Sequence, residues 1–446
     1  MDRAASERRT RPLAQAWTRV MPGRAALLAL LITTMVSLSL ILLGAPSWAT
    51  SRRHRQSPSA QPIKLRTLLL VNTTSDESTP GDGFCSLREA ITTSNDAGGF
   101  TNDCGTGSGF DTIEFSVSGT ITLGSALPAL ANNLIIDGTG QSVTIDGASM
   151  FQVFTVNSGA TLTLSDLTVQ NGSGGLAAFG GGIVNNGMLT LNNCAILDSF
   201  AGFGGAGIYN TSMLTITNST ISNNGTSKTD DGGGINNSGT LNITNSNFSG
   251  NAAAAGGAVE NAGGMMTVTN STFSGNTALA GGGIVNSGSL TIGGSTFSGN
   301  SATGDAGGIA NASSGTISVT NSTFASNNAG TQGGGTDNRG VMIVVNSTIS
   351  GNSAPSGKGG GVLTSNQITF KNTIVANSTD GGNCSFAGTF TSDGHNLSDD
   401  LTCFFVNTGD VNNMPVGLDP KGLQNNGGPT QTIALLPAVR PSMRSR

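Results

Sequence analysis

Between Gly180 and Ser378 the chain repeats itself every 24 to 27 residues, and a fixed period of that size leaves few folds open. Each copy closes a short alternating segment on an apolar residue: Leu191, Ile216, Ile243, Val268, Ile292, Val319, Val344 and Phe370. A second apolar residue follows five positions later, or four in the last copy: Ile196, Ile221, Phe248, Phe273, Phe297, Phe324, Ile349 and Ile374. Three residues on stands an Asn, as Asn224, Asn251, Asn276, Asn300, Asn327, Asn352 and Asn377, with Ser199 leading. A variable arc then leads to a Gly pair or triplet, an apolar residue and another Asn two positions later, as in Ile208/Asn210 and Ile284/Asn286. A unit this small buries its apolar face only against its neighbours, so the copies form a solenoid.

Content decides which solenoid. Triplets such as Leu214-Thr215-Ile216 alternate with period two and favour β-branched residues, which excludes helical repeats. Gly and Asn, abundant elsewhere in the unit, are turn formers. About three short strands and three turns fit one copy, which is one rung of a parallel β-helix with like positions stacked at roughly 4.8 Å. Apolar anchors such as Phe248, Phe273, Phe297 and Phe324 then form inner columns, and the Asn positions form amide ladders. Gly runs such as Gly281-Gly282-Gly283 suit corners of positive φ or close backbone approach. The Asn-X-Ser/Thr triplets at Asn218, Asn242, Asn270, Asn321 and Asn346 follow from the repeat itself and are read as architecture, not as glycosylation sites.

Charged residues are 10% of the chain, against roughly 25% in ordinary globular proteins. A net charge of −5 gives no basic footprint for nucleic acid. Six Arg residues up to Arg24 precede an uncharged apolar run from Ala25 to Gly44 and the small residues Ser47 and Ala49. Residues 1–49 therefore read as a signal peptide, with a retained membrane anchor as the alternative, and 50–64 as a linker. The bulk of the chain is expected to be secreted or at the cell surface, with a membrane partner only through an uncleaved leader. Five cysteines fit that setting. Cys85 and Cys104 lie 19 apart, as do Cys384 and Cys403, which predicts one local disulfide at each end of the solenoid. Closing such a loop contributes on the order of 3 kcal/mol. Cys194 takes the place of Ser219 and Ser246 in other copies and reads as a packed thiol. The two histidines, His54 and His395, lie near no Cys pair at ligand spacing, so neither metal nor cofactor is expected.

The segment Phe84-Cys85-Ser86-Leu87-Arg88-Glu89-Ala90-Ile91, continued by Asp111-Thr112-Ile113-Glu114-Phe115, resembles the signature of bacterial CSLREA-domain proteins. The resemblance implies an N-terminal cap leading into a right-handed β-helix. The copies with Gly281-Gly282-Gly283-Ile284 and Phe273…Asn276 resemble the polymorphic outer-membrane protein repeat. Gly422 to Thr430 and Leu435-Leu436-Pro437 resemble the C-terminal choice-of-anchor domain of surface proteins. Where that family continues Gly-Ser-Pro-Ala-Ile-Asp, this chain has Ala438-Val439-Arg440-Pro441-Ser442-Met443, which a shift of one base in the family's codons produces. Residues 438–446 are expected to be a frameshifted tail.

Right-handed β-helices include pectin-lyase-like enzymes, so the placement of carboxylates decides whether catalysis is open to this chain. Glycoside hydrolysis needs two of them facing one groove. Within the repeats Asp230 and Asp231 are the one adjacent pair and the weak catalytic candidates; a solvated loop is the simpler expectation. Asp337 lies near Arg339 without further company, Asp305 looks isolated, and His395 reads as part of a turn. Arg88 and Glu89 read as an ion pair on a capping helix from Leu87 to Ser94.

The sequence thus predicts an all-β, right-handed parallel β-helix of about 12 coils, with a cap at 65–112, the solenoid at 113–380 and a C-terminal cap or anchor-like domain at 381–437. The expected function is non-catalytic adhesion through variable arcs (Thr226 to Asp231, Ala252 to Ala255, Ser301 to Ala306, Ser353 to Lys358), the partner being an extracellular glycan or a neighbouring cell surface. A polysaccharide lyase or glycoside hydrolase is the alternative.

Overall fold

The computed structural model describes residues 66–96, 101–176, 178–227 and 230–436. The expected leader, linker and frameshifted tail lie outside them. The described chain winds into a parallel β-solenoid with three long sheets. The first has thirteen strands, from Thr67–Val71 to Thr389–Ser392; the second has twelve, from Gly119–Thr122 to Leu397–Ser398; the third has ten, from Phe154–Val156 to Cys384–Phe386.

Alternation puts one side of every strand inside. In the first sheet Leu241 and Ile243 of Thr240–Thr244 are buried, and Met266 and Val268 lie directly upon them. In the second sheet Phe248, Phe273, Phe297 and Phe324 are fully buried and stack with centroids 4.7, 4.7 and 4.9 Å apart and rings within 8° of parallel. That spacing is the strand spacing itself, so backbone register sets the ring stacking.

Each corner has its own polar device. Between the first and second sheets, Asn218, Asn245 and Asn270 take positive φ of 51°, which Asn tolerates better than most residues. The next residue forms a hydroxyl ladder: Ser219 N–H donates to Ser246 Oγ (3.1 Å), and Ser246 N–H to Ser271 Oγ (3.0 Å). Cys194 is buried in this ladder's slot, its N–H donating to Ser219 Oγ (3.0 Å), and burial pushes its thiol up to about 11. After the second sheet, the amides of Asn224, Asn251, Asn276, Asn300, Asn327 and Asn352 bond one to the next at 2.9–3.1 Å. A second amide ladder runs from Asn185 through Asn210, Asn237, Asn261, Asn286 and Asn311 to Asn338 at 2.7–2.9 Å. At the Gly corner the first residue is left-handed (Gly281 φ 61°), while a Cβ on Gly282 would lie 2.6 Å from the carbonyl oxygens of Gly307 and Ser301.

The last regular copy departs from the expected alignment. Val375, not Ile374, pairs with Ile349 and is fully buried. Asn377 therefore stands at the left-handed corner (φ 55°) beside Gly351, and the ladder slot falls to Ser378. The four-residue spacing in that copy reflects this slip of one.

Both ends are closed. At the N-terminal end the helix Leu87–Asp96 buries Leu87, Ala90 and Ile91, and Cys85 is bonded to Cys104. Its N-terminus is a capping box: Ser86 N–H donates to Glu89 Oε2 and Glu89 N–H donates to Ser86 Oγ, both 3.1 Å. The expected Arg88–Glu89 pair does not form. Arg88 instead grips Asp76 with two 2.8 Å bonds and donates to the carbonyls of Ser125 and Ala126, tying cap to coil. The first solenoid strand lies inside the expected cap, since Thr67–Val71 pairs with Phe110–Phe115. At the other end the rungs continue past residue 380 to Leu397–Ser398, and Phe405 with the bonded Cys384 and Cys403 seals the core under Phe370. The hairpin of Leu418–Gln424 and Thr432–Leu435 is not part of that lid. It lies along the flank of the second sheet, where Thr296 Oγ1 donates to Gln431 O (2.6 Å) and Thr430 Oγ1 donates to Gly294 O (3.0 Å).

Candidate functional site

Every arc leaves the second sheet's Asn ladder and returns at the Gly corner that opens the third sheet. Arcs and the outward side chains of the third sheet therefore share one flank. Those side chains form a column in register: Val184, Tyr209, Asn236, Glu260, Val285, Ala310, Asp337 and Leu363. The arcs are themselves partly laddered, as in Thr277–Ala278, Ser301–Ala302 and Asn328–Ala329, and bridges join Gly204, Asp231, Ala255 and Ala280 in turn.

Three chemistries succeed one another along this flank. First comes an aromatic cluster. Tyr209, the chain's one tyrosine, stacks on Phe179 (4.3 Å, 26°), and Phe203 leans on Phe179 at 5.6 Å. Phe179 and Phe203 are 39% and 46% exposed, whereas the stacked column from Phe248 to Phe324 is wholly interior.

Next are the acids. Asp231 and Glu260 sit one coil apart; burial is the main cause that lifts both, Asp231 to about 6 with help from Asp230, and Glu260 to about 8 with help from Asp231. Glu260 Oε2 accepts a 2.6 Å bond from Asn236 Nδ2. At neutral pH this patch pairs a largely ionised carboxylate with a largely protonated carboxyl, an acceptor beside a donor. Asp230 accepts from the Ser227 hydroxyl, and its carbonyl accepts from Thr226 Oγ1 (2.9 Å), so it also shapes the arc.

Last is an ionic knot. Arg339 donates to Asp337 Oδ2 (2.8 and 3.1 Å) and also pairs with Asp305 on the preceding coil, so Asp305 is not isolated as its sequence position implied. Gln332 donates to the same Asp337 oxygen at 3.3 Å. Asp337 is buried, and desolvation outweighs Arg339 in holding its carboxyl above the usual range.

The weak catalytic candidates thus divide. Asp231 joins Glu260 and Asn236, while Asp230 serves the arc. The ladder residues Asn224 to Asn352 and Phe248 to Phe324 are interior, and the disulfides lie at the two ends, away from this flank. Reading acids by adjacency along the chain missed Glu260. The available signal was the middle position of the apolar-X-Asn triplet, usually Val, Tyr, Asn or Ala, where Glu260 and Asp337 stand out. His395 occupies a turn of positive φ (59°), its N–H donating to Thr408 O at 3.0 Å. Among the described residues no group of three or more His, Cys, Asp or Glu is placed to hold a metal ion.

The family model described as the right-handed β-helix region matches residues 152–324, the heart of the regular coils. Among solved structures, PfbA, a surface adhesin of Streptococcus pneumoniae, aligns with a TM-score of 0.35 and 12% identity over 73% of this chain and 87% of that one. No curated protein matches the sequence.

Proposed function

We propose that this chain is an exported, non-catalytic surface protein that adheres by binding carbohydrate along its arc-bearing flank. The aromatic cluster carries the reading. Exposed aromatic planes offer stacking surface for the C–H faces of sugar rings, and the neighbouring Asn236, Asp231 and Glu260 offer donors and acceptors for sugar hydroxyls. Export is supported by the Arg-led apolar leader and by two disulfides, which persist in oxidising compartments. The Phe84 to Ile91 signature supports a CSLREA-type cap, and the Phe-x-x-Asn copies support kinship with outer-membrane repeat proteins.

A glycan array on the mature chain tests this. Binding should appear for a restricted set of glycans and fall at least tenfold in Tyr209→Ala and Phe179→Ala. Binding unchanged by both substitutions refutes the site, and no binding to any glycan refutes the function. The hydrolase reading keeps one specific support, the separation of the Asp231 and Glu260 carboxyls into an ionised and a protonated partner. Glycan turnover, measured with and without Ca²⁺ and abolished by Glu260→Gln or Asp231→Asn, would replace adhesion with catalysis.

A further inference from the structure

We propose that an open groove along the second sheet, from the coil of Gln141 to that of Thr272, docks an extended, uncharged polypeptide segment of another protein. The groove follows the corner between the first and second sheets, on a face distinct from the arcs. It comprises two adjoining hollows of about 360 and 570 Å³ that share Asn218 and Thr220. Its walls are mainly hydroxyls and amides, interrupted by Val143, Leu167, Cys194, Ala195 and Pro429, with Asp166 as the one charged lining residue, and no aromatic ring contributes.

The outer face of the second sheet is already covered further along the stack. The base of the C-terminal hairpin lies at that sheet's far edge, against Ala325, Ser350 and Gly351, and its tip reaches the groove's own corner, where Pro429 forms the end wall of the open groove beside Asn270 and Thr272. Its tip is held by a reciprocal pair, Thr296 donating to the Gln431 carbonyl and Thr430 donating to the Gly294 carbonyl. Both protein groups recur in the three coils next to the hairpin tip. Thr296 is in register with Thr272, which follows Asn247 and Thr220, so each of these coils offers one donor in that column; Ala195 interrupts it one coil further back and Thr168 resumes it. Gly294 is the counterpart of Asn270, Asn245 and Asn218, and all four share positive φ between 50° and 59°, so their carbonyls are presented alike.

Over the coils of Thr220, Asn247 and Thr272 the open groove therefore repeats the donor and acceptor that hold a main chain and a Thr hydroxyl at Gly294. A polypeptide running along the stack and abutting Pro429 would continue the existing interface. The absence of rings disfavours sugar stacking here, in contrast to the arc-bearing flank. A partner of like chemistry is short, uncharged and rich in Thr, Asn and Gly, as the hairpin tip Asn425 to Thr432 is. Lack of charge matters because only Asp166 could pair with one.

The test titrates the full mature chain into a fluorescein-labelled synthetic peptide spanning Asn425 to Ile433, followed by anisotropy. Saturable binding is expected, weakened at least tenfold by Thr220→Lys and by Asn247→Lys, and retained by Thr267→Lys on the exposed face of the first sheet. Melting curves establish that the three variants are folded. Absence of peptide binding, or binding equal in groove and control variants, overturns the proposal. So does a groove that ignores the peptide but captures linear oligosaccharides or a second copy of the chain, each lost in the same two groove variants.

Discussion

Replacing Asn276 by Ala tests whether the amide ladder, as much as the apolar column, holds the coils in register. Asn276 Oδ1 accepts from both the N–H and the amide of Asn251 (3.0 Å each), while its own amide donates to the Phe248 carbonyl (3.0 Å) and to Asn300 Oδ1 (2.9 Å). Asn276, Asn251 and Phe248 are all fully buried. Truncation strands one backbone N–H, one amide hydrogen and one carbonyl where water has no entry. At about 1–2 kcal/mol for each stranded group, the expected loss is about 3–6 kcal/mol. The matched control is Asn270→Ala, at a half-buried left-handed corner outside the amide ladder, which trades a tolerant residue for a strained one at about 1 kcal/mol. Solenoids need not unfold in one step, so denaturant midpoints should be read together with amide hydrogen exchange. Exchange should accelerate first in the coils of Asn251, Asn276 and Asn300. If Asn276→Ala is no more destabilising than Asn270→Ala, or if exchange accelerates evenly along the stack, the ladder reasoning fails.

The Gly corner gives a paired expectation. Gly282→Ala should destabilise by several kcal/mol, about 3 or more, because its methyl meets fixed carbonyls at 2.6 Å, whereas Ala306→Gly, at the same corner's left-handed position (φ 60°), should stabilise by up to about 1 kcal/mol in thermal melts. Glu260 sets a pH dependence. Its folded value near 8 exceeds the ordinary 4.5, so the folded state binds the extra proton. The associated stability is full below about pH 4.5 and is lost as pH rises through about 8; denaturation at pH 5 and pH 9 should show it, and Glu260→Gln should flatten the difference. A flat wild-type profile would contradict the burial of that carboxyl. Removing the Cys384–Cys403 bond by double Ser substitution should cost on the order of 3 kcal/mol and fray the last rungs in hydrogen exchange, leaving the coils around Asn251 protected.

What is legible in the sequence and what is not follow from the same physics. Phe248, Phe273 and Phe297 were legible as an inner column because burial recurs at every rung and so prints a period on the chain. The ladders were legible for the same reason. Val375 is displaced by one from the sequence expectation because period alone cannot say which of two adjacent apolar residues, Ile374 or Val375, turns inward; Val375 keeps the same spacing from Phe370 that Ile349 keeps from Val344. The hairpin from Leu418 to Leu435 has no period, so nothing in its sequence indicated that it lies along the flank. Glu260 was overlooked because its neighbours are assembled across coils. A surface position that occurs once gains meaning only when the stack sets it beside Asp231.

The strap formed by the C-terminal hairpin also acts as a gauge. Elsewhere in the stack, each unit touches only the one before and the one after, so gaining or losing a whole unit alters reach without altering how any unit folds. Between Gly294 and Gly351 that freedom ends, since the strap is fastened at Thr430 and seated against Gly351, and an added unit there would pull it off its moorings. Length variation among kindred chains is therefore expected between the coils held by the N-terminal cap and Thr272, where the described ladders join only adjacent units.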